Sequence, residues 1–329
     1  MSIDVRSLRY FVAMVTTGSI SRAAAELHIA QPALSLHLKR MEAELGVKLL
    51  ERSSRGVVAT AAGQRFLAHS RDVLEKLRFA CEDVREGASE PVGSIAIGMP
   101  QSIGMALTPR LVRDVIRRWP RLHLQIVETS TGHVPSQLVG RTIDLGMTFL
   151  RDKSSGLRYR GLVEEELVLI GPPPAGRHKT GTFESRNIRF ADLADIPLML
   201  PSSQNSLRQV IERYAQQAQV RLNVLADVDS IPQLIAIAGD GLGHTILSYP
   251  SVVDALAERR VSAVRLVQPR PVRTVYLCRL ENIPATSAMT AMEALILSTT
   301  QELVDEGEWP GRLVSPIRQR PSMKAVATR

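Results

Sequence analysis

The stretch QPALSLHLKR, Gln31–Arg40, separates two kinds of side chain. Leu34, Leu38 and Met41, continued by Leu45, recur at spacings of 4, 3 and 4, the stripe of an amphipathic helix. Gln31, Ala33, Ser35, His37, Lys39 and Arg40 fall off that stripe. A glutamine can hold adenine through two hydrogen bonds at the base edge, and a serine can meet a base or a phosphate. The open start of a helix, with Pro32 suited to its first turn, favours phosphate. The same residues also suit the solvated face of an ordinary three-helix bundle, and periodicity alone leaves both readings open.

The elements that must position them lie on either side. Leu8, Phe11, Val12 and Val15 have helical spacing. Gly18 stops that helix and Ser19 can cap the next, SISRAAAELHI, whose alanines allow a close neighbour. His28–Ala30 makes a tight turn, and Gly46 ends the helix that starts at Gln31. Two short helices joined by such a turn, with a polar start on the second, fit a helix-turn-helix. LLERSSRGVVAT then reads as two short strands, Leu49–Glu51 and Val57–Ala59, around Arg52–Gly56. That is a wing displaying Arg52 and Arg55, which can touch phosphates or enter a narrow minor groove. The wing decides for DNA over the plain bundle.

The run from Leu8 to Gly63, LRYFVAMVTTGSISRAAAELHIAQPALSLHLKRMEAELGVKLLERSSRGVVATAAG, resembles the winged helix-turn-helix of LysR-type transcriptional regulators. The resemblance implies that Gln31, Pro32, Ala33 and Ser35, with Lys39 on the same helix, face DNA, and that Arg55 makes the wing contact. Two positions depart from the family's pattern. Ala30 stands where a Ser or Thr usually caps the helix, a loss that typically costs about 1 kcal/mol. Leu36 stands where Arg, Lys or Gln is frequent; it cannot hydrogen-bond a base but can meet a thymine methyl.

Thr60 can cap a long helix running to about Gly87, on which Phe66, Val73, Leu77, Ala80 and Val84 fall near a 3/4 alternation. Such a stripe must be buried, either against a second copy or against the rest of its own chain. The resemblance implies the former, since these regulators dimerise through this helix. Glu86–Gly93 is a hinge by composition.

From Ser94 strands and helices alternate, an α/β pattern with mostly parallel sheets expected. RTVYLCRL and the last long helix could return to the first half, giving two lobes around a cleft. Ligands in open α/β sheets bind beyond the carboxyl ends of strands, often at helix starts. That rule selects Ser102, Thr129, Ser130, Phe149, Ser202 and Ser203. Each alone is more often a cap than a contact, and their convergence at four strand ends is the argument. The resemblance implies a two-lobed domain similar to periplasmic binding proteins with an effector between lobes, and ETSTGHVPSQLVGRTIDLGMTFL looks most like nitrogen-assimilation control proteins. The expected architecture is therefore an all-α winged helix-turn-helix followed by two α/β lobes. Residues 1–60 bind DNA, 61–92 form the linker helix and hinge, 93–303 the effector domain (first lobe about 93–163 and 268–303, second about 164–267), and 304–329 a disordered basic tail.

Other signals are excluded or discounted. The formal net charge of +8 suits a polyanionic partner only where it falls on a suitable element. No run approaches the roughly 18–20 apolar residues of a membrane span, and the N-terminus lacks a secretory pattern, so a cytoplasmic protein is expected. Cys81 and Cys278 read as reduced thiols. The seven histidines show no metal-ligand spacing, and no catalytic residue, metal or cofactor is expected beyond a small-molecule effector. GDGLG follows a helix rather than a strand and is not a dinucleotide loop. VEEEL, holding Glu164–Glu166, reads as a solvated like-charge run, and Trp309 could anchor the start of the tail. The expected partners are double-stranded promoter DNA, further copies of the chain as a homodimer or homotetramer, and RNA polymerase. The competing classes are a solute-binding protein, which leaves residues 1–60 unexplained, and an α/β enzyme, for which no nucleophile–base pair stands out.

Overall fold

A computed structural model describes residues 3–53, 56–85, 91–152, 156–173 and 187–314. The chain divides into two compact units: Met1–Glu90 with Val139–Thr142 and Pro284–Ser287, and the remainder.

The first unit opens with α1 (Val5–Thr17), α2 (Ile20–Glu26) and α3 (Gln31–Leu45), followed by strands β1 (Leu50–Ser53) and β2 (Gly56–Ala59) and the long helix α4 (Ala61–Arg85). Asp4 caps α1, its carboxylate accepting from the Ser7 N–H at 2.8 Å, and left-handed Gly18 ends it. Ser19 caps α2 and left-handed Gly46 closes α3. Phe11, Met14, Leu34 and Met41 form the core; truncating such a residue to Ala typically costs about 2–5 kcal/mol. Leu45, expected on the buried stripe, is exposed; the buried neighbour in that turn is Glu42. One Glu42 oxygen accepts from the N–H of Leu49 at 2.9 Å and of Leu50 at 3.3 Å, and the other from Lys48 Nζ at 2.7 Å. This carboxylate therefore fixes the start of the β hairpin to α3.

The hairpin pairs Leu50 with Ala59 and Ser53 with Gly56. Gly56 lies against the α1–α2 turn, where an added Cβ would sit 2.2 Å from the Gly18 carbonyl oxygen. The Val57 N–H donates to that same carbonyl at 2.9 Å. Thr60 caps α4, accepting from the Gly63 N–H at 2.9 Å.

The second unit contains β3 (Gly93–Met99), α5 (Gln101–Arg118), β4 (Leu122–Glu128), α6 (Val134–Val139), β5 (Leu145–Thr148), β6 (Leu157–Gly171), β7 (Asn187–Arg189), β8 (Leu198–Leu200), α7 (Ser206–Gln217), β9 (Val224–Asp227), α8 (Ile231–Gly239), β10 (Thr245–Ser248), α9 (Val253–Ala257), β11 (Ser262–Val267), β12 (Val272–Leu280), α10 (Ser287–Asp305) and β13 (Gly311–Leu313). The sheet runs β4-β3-β5-β12-β6-β11-β7, with β10 and β13 also on β6. It is mixed rather than mostly parallel. β3 is parallel to β4 and β5, but β12 runs antiparallel to β5 and β6, and β10 and β11 antiparallel to β6. The cause is β6, which at 15 residues serves both lobes: Leu157–Glu166 pair with β12, while residues from Leu167 onward pair with β10 and β11. The second lobe has its own core around Val168, Ile170, Leu198, Ile211, Leu234 and Ile246.

Two further expectations are corrected. The tail placed at 304–329 is ordered at its start: α10 runs to Asp305, Trp309 is fully buried, and β13 pairs with Val163–Glu165 of β6. A large indole and three strand residues supply the burial and ladder bonds that composition did not suggest. Arg110 on α5 adds ion pairs to Glu306 at 2.5 Å and Glu308 at 2.8 Å. Residues 315–329 lie outside the described residues. The Glu164–Glu166 run is also not a solvated one: Glu165 and Glu166 are buried, because alternate residues of a strand shared by two lobes face packed surfaces on both sides and each carboxylate has a guanidinium partner, Arg273 for Glu165 and Arg270 for Glu166.

Candidate DNA-reading face and ligand cleft

The start of α3 presents Gln31, Pro32, Ala33 and Lys39 exposed and Ser35 half-buried, with Leu34 and Leu38 turned into the core behind them. Ala30 is the N-cap and makes no side-chain cap bond. The first-turn N–H groups of α3 consequently have no side chain over them, an arrangement that favours phosphate. Gln31 Nε2 donates to Ser35 Oγ at 3.3 Å, one helical turn on, so the two candidate readers hold each other at a shared face. Leu36 is 48% exposed, a large apolar side chain in water beside them. His37, off the stripe, packs edge-on against Tyr10 with ring centroids 5.0 Å apart. Arg52 lies on β1, its backbone paired with Val57; its side chain and the whole of Arg55 lie outside the described residues.

Along α4 the expected pairing stripe splits. Phe66 packs on Phe11, ring centroids 5.1 Å apart, and so belongs to the core of its own unit. An aromatic one turn beyond a capped helix start is near enough to reach α1. Val73 and Leu77 are 47% and 39% exposed and Ala80 is also exposed, an uncovered apolar strip. The Val84 side chain lies outside the described residues.

In the second unit the selected positions form two groupings. Ser102, in the first turn of α5, and Phe149, just past β5, both touch Arg273 of β12: Nη2 donates to Ser102 Oγ at 3.2 Å, and the guanidinium carbon lies 3.5 Å from the Phe149 ring centre. Arg273 is 4% exposed; its Nε donates to Glu165 Oε1 at 2.6 Å, while Trp309 Nε1 donates to Glu165 Oε2 at 2.7 Å. Burial draws the Arg273 guanidinium below its ordinary range against the pull of Glu165, yet arginine remains protonated. The second grouping joins the loops after β4 and β8. Thr129 donates its N–H to Met99 O at 3.0 Å, Ser130 Oγ meets His133 Nδ1 at 2.8 Å, and Ser202 donates to Asp229 Oδ1 at 2.9 Å. Ser203 is exposed. The lobes touch between these loops where Ser206 Oγ donates to Thr131 Oγ1 at 3.3 Å. Ser206 opens α7 beneath the cap made by Asn205.

Sequence reasoning thus found Ser102 and Phe149 but not the arginine that joins them. Arg273 lies in a strand assigned only a structural return, and Glu165 in a run read as solvated; the one available signal was a charge placed within an apolar, alternating strand. Among the described residues no group of His, Cys, Asp or Glu could hold a metal ion, and no helix is long and apolar enough to cross a membrane.

Comparison with known proteins adds a common theme. Residues 5–64 match the family model described as "Bacterial regulatory helix-turn-helix protein, lysR family", and residues 88–301 match "LysR substrate binding domain". The chain is 29% identical over 309 residues to the HTH-type transcriptional regulator BbuR of Bordetella bronchiseptica, covering 94% of each chain. It is 28% identical to the nitrogen assimilation regulatory protein nac of Escherichia coli, over 93% of this chain and 99% of that one. Among solved structures, full-length OxyR from Pseudomonas aeruginosa superposes with a TM-score of 0.72 at 22% identity, covering 98% of this chain and 100% of that one.

Proposed function

The chain belongs to the LysR family of bacterial regulatory helix-turn-helix proteins, and from that premise we propose how its parts divide the work of a DNA-binding transcriptional regulator modulated by a small molecule. Gln31, Pro32, Ala33, Ser35 and Lys39 enter the major groove. Gln31 exchanges its bond to Ser35 for a base edge, and Leu36 offers a surface to a thymine methyl. Arg52 and Arg55 meet the flanking backbone or minor groove. Val73, Leu77, Ala80 and Val84 pair α4 with a second copy, giving a homodimer and, through further contacts, a tetramer that presents two half-sites. The cleft binds the effector, which acts by having different affinities for two arrangements of the molecule. The reading assigns no catalysis and no resident cofactor, puts the chain in the cytoplasm, and makes RNA polymerase a partner at the promoter.

The observation that carries this reading is the start of α3, with an exposed Gln31–Ser35 pair on a turn without a side-chain cap, set on a buried core. A gel-shift series with upstream DNA at increasing salt tests it. Binding should weaken steeply with salt, and undetectable affinity for duplex at low salt would refute it. Gln31→Ala should cost about 1–3 kcal/mol of sequence discrimination while leaving non-specific binding; unchanged preference would remove Gln31 from the readout.

A further inference from the structure

The cleft holds a buried cation whose hydrogen-bonding capacity the chain uses only in part. A guanidinium carries five N–H donors in a planar fork. Arg273 gives one to Glu165 and one to Ser102, its face is covered by Phe149, and among the described residues it has no further acceptor. Its remaining donors include both N–H groups of Nη1. Beside them lies the start of α5, an 18-residue helix whose N-cap, Pro100, makes no side-chain cap bond, so the partial positive charge of its first turn adds to the guanidinium. Glu165 sits behind the site rather than in it. Its two oxygens are taken by Arg273 Nε and by the indole N–H of Trp309.

We propose that the outer edge of Arg273, with Ser102 and the first turn of α5, is a carboxylate-binding subsite of the cleft, and that Glu165 relays its occupancy to Trp309 and the C-terminal strand. The inference rests on the cleft being the effector site and names the chemistry that the effector brings to one end of it. A carboxylate matches the planar fork with two parallel bonds, whereas an amide offers a single acceptor. A second anion beside the Arg273–Glu165 pair leaves that cluster one negative charge in excess. The helix start and the Ser102 hydroxyl are the groups placed to offset it. An incoming carboxylate competes with Glu165 for the same guanidinium, so the carboxylate that Trp309 bonds changes its hold as the site fills.

Trp119 and Trp309 are the two tryptophans of the sequence, so full-length Trp119→Phe reports on Trp309 alone. Titrating it with sodium acetate, against sodium chloride at equal ionic strength and against acetamide, should give a saturable change of Trp309 emission and a rise in melting temperature with acetate only. Arg273→Gln should abolish both. Arg273→Lys, which keeps the charge and loses the fork, should raise the half-saturating acetate concentration about tenfold and guards against misreading an unfolded Gln variant. Glu165→Gln should keep the acetate-induced rise in melting temperature and lose the emission change, since the link and not the subsite is cut. Equal responses to acetate and chloride, an acetamide response matching acetate, or a response surviving Arg273→Gln would each overturn the proposal. Duplex DNA binding measured on the same proteins separates the two readings: retained binding without an acetate response sinks the subsite alone, and absent DNA binding in the unsubstituted chain sinks the regulator reading.

Discussion

Glu42 lies in the core of the first unit, and the chain makes its charge tolerable with three donors: Lys48 Nζ and the N–H groups of Leu49 and Leu50. Burial pushes its carboxyl up, and those three bonds more than offset this, so the net effect holds it below the usual glutamate range. With the folded-state value depressed, the stabilisation is complete above the ordinary glutamate pKa and is lost as pH falls through the folded-state value. Glu42→Gln should therefore cost about 1–3 kcal/mol near neutral pH, with the gap from the parent closing in acid. Urea unfolding at neutral and acid pH measures it, and a pH-independent gap would contradict the assignment. Cys278 is the opposite case. Burial pushes its thiol up to about 12 while Sγ donates to Gly146 O at 3.3 Å. It holds essentially no thiolate at neutral pH and is excluded as a redox-sensing nucleophile.

Among the elements, the β1–β2 hairpin is aimed by a backbone-to-backbone approach at Gly56 and Gly18. Gly56→Ala would drive a methyl into the Gly18 carbonyl and also strain a residue at φ +127°. The hairpin must then lift off the α1–α2 turn, and DNA affinity should fall at least tenfold while α3 retains its helicity, measured by gel shift and circular dichroism. Unaltered affinity would show that the hairpin's placement is irrelevant to binding. That approach was not legible in the amino-acid sequence, because it depends on two glycines 38 positions apart meeting in space. The caps at Ser19 and Thr60, the stops at Gly18 and Gly46, and the exposed start of α3 were legible, since each follows from residues within one turn. The pattern failed where one strand serves two surroundings. β6 mixes charges with apolar residues, so Glu164–Glu166 gave the signal of a solvated run when their partners, among them Arg273 and Trp309, lie more than 100 positions away. Phe66 was misassigned for a related reason: a periodic stripe on α4 does not say where its first turn stops serving the core.

For the whole molecule, the open question on α4 is what covers Val73 and Leu77, and a second copy is the reading adopted above. Leu77→Asp would place a charge on that strip, and burying an unpaired carboxylate costs several kcal/mol per copy. The expected outcome is a shift to the monomer in analytical ultracentrifugation with little change in the melting of the monomeric unit, since Leu77 makes little use of its own chain. An unchanged sedimentation coefficient would move the pairing surface elsewhere.

The pairing of β13 with β6 carries a consequence for synthesis. The first lobe begins at Gly93 with β3, yet its sheet is completed only by Gly311–Leu313. At about 5–20 residues per second, a ribosome takes on the order of 10–45 s to travel between those points. Throughout that time Glu165 lacks its indole partner and the Val163–Glu165 edge lacks its last ladder. The second lobe, whose core comes from residues 167–266, is finished first, so the nascent chain folds from the middle outward. Pulse proteolysis of stalled chains should find the second lobe protected once its last residue has cleared the exit tunnel, and the first lobe protected only after Leu313 has done so.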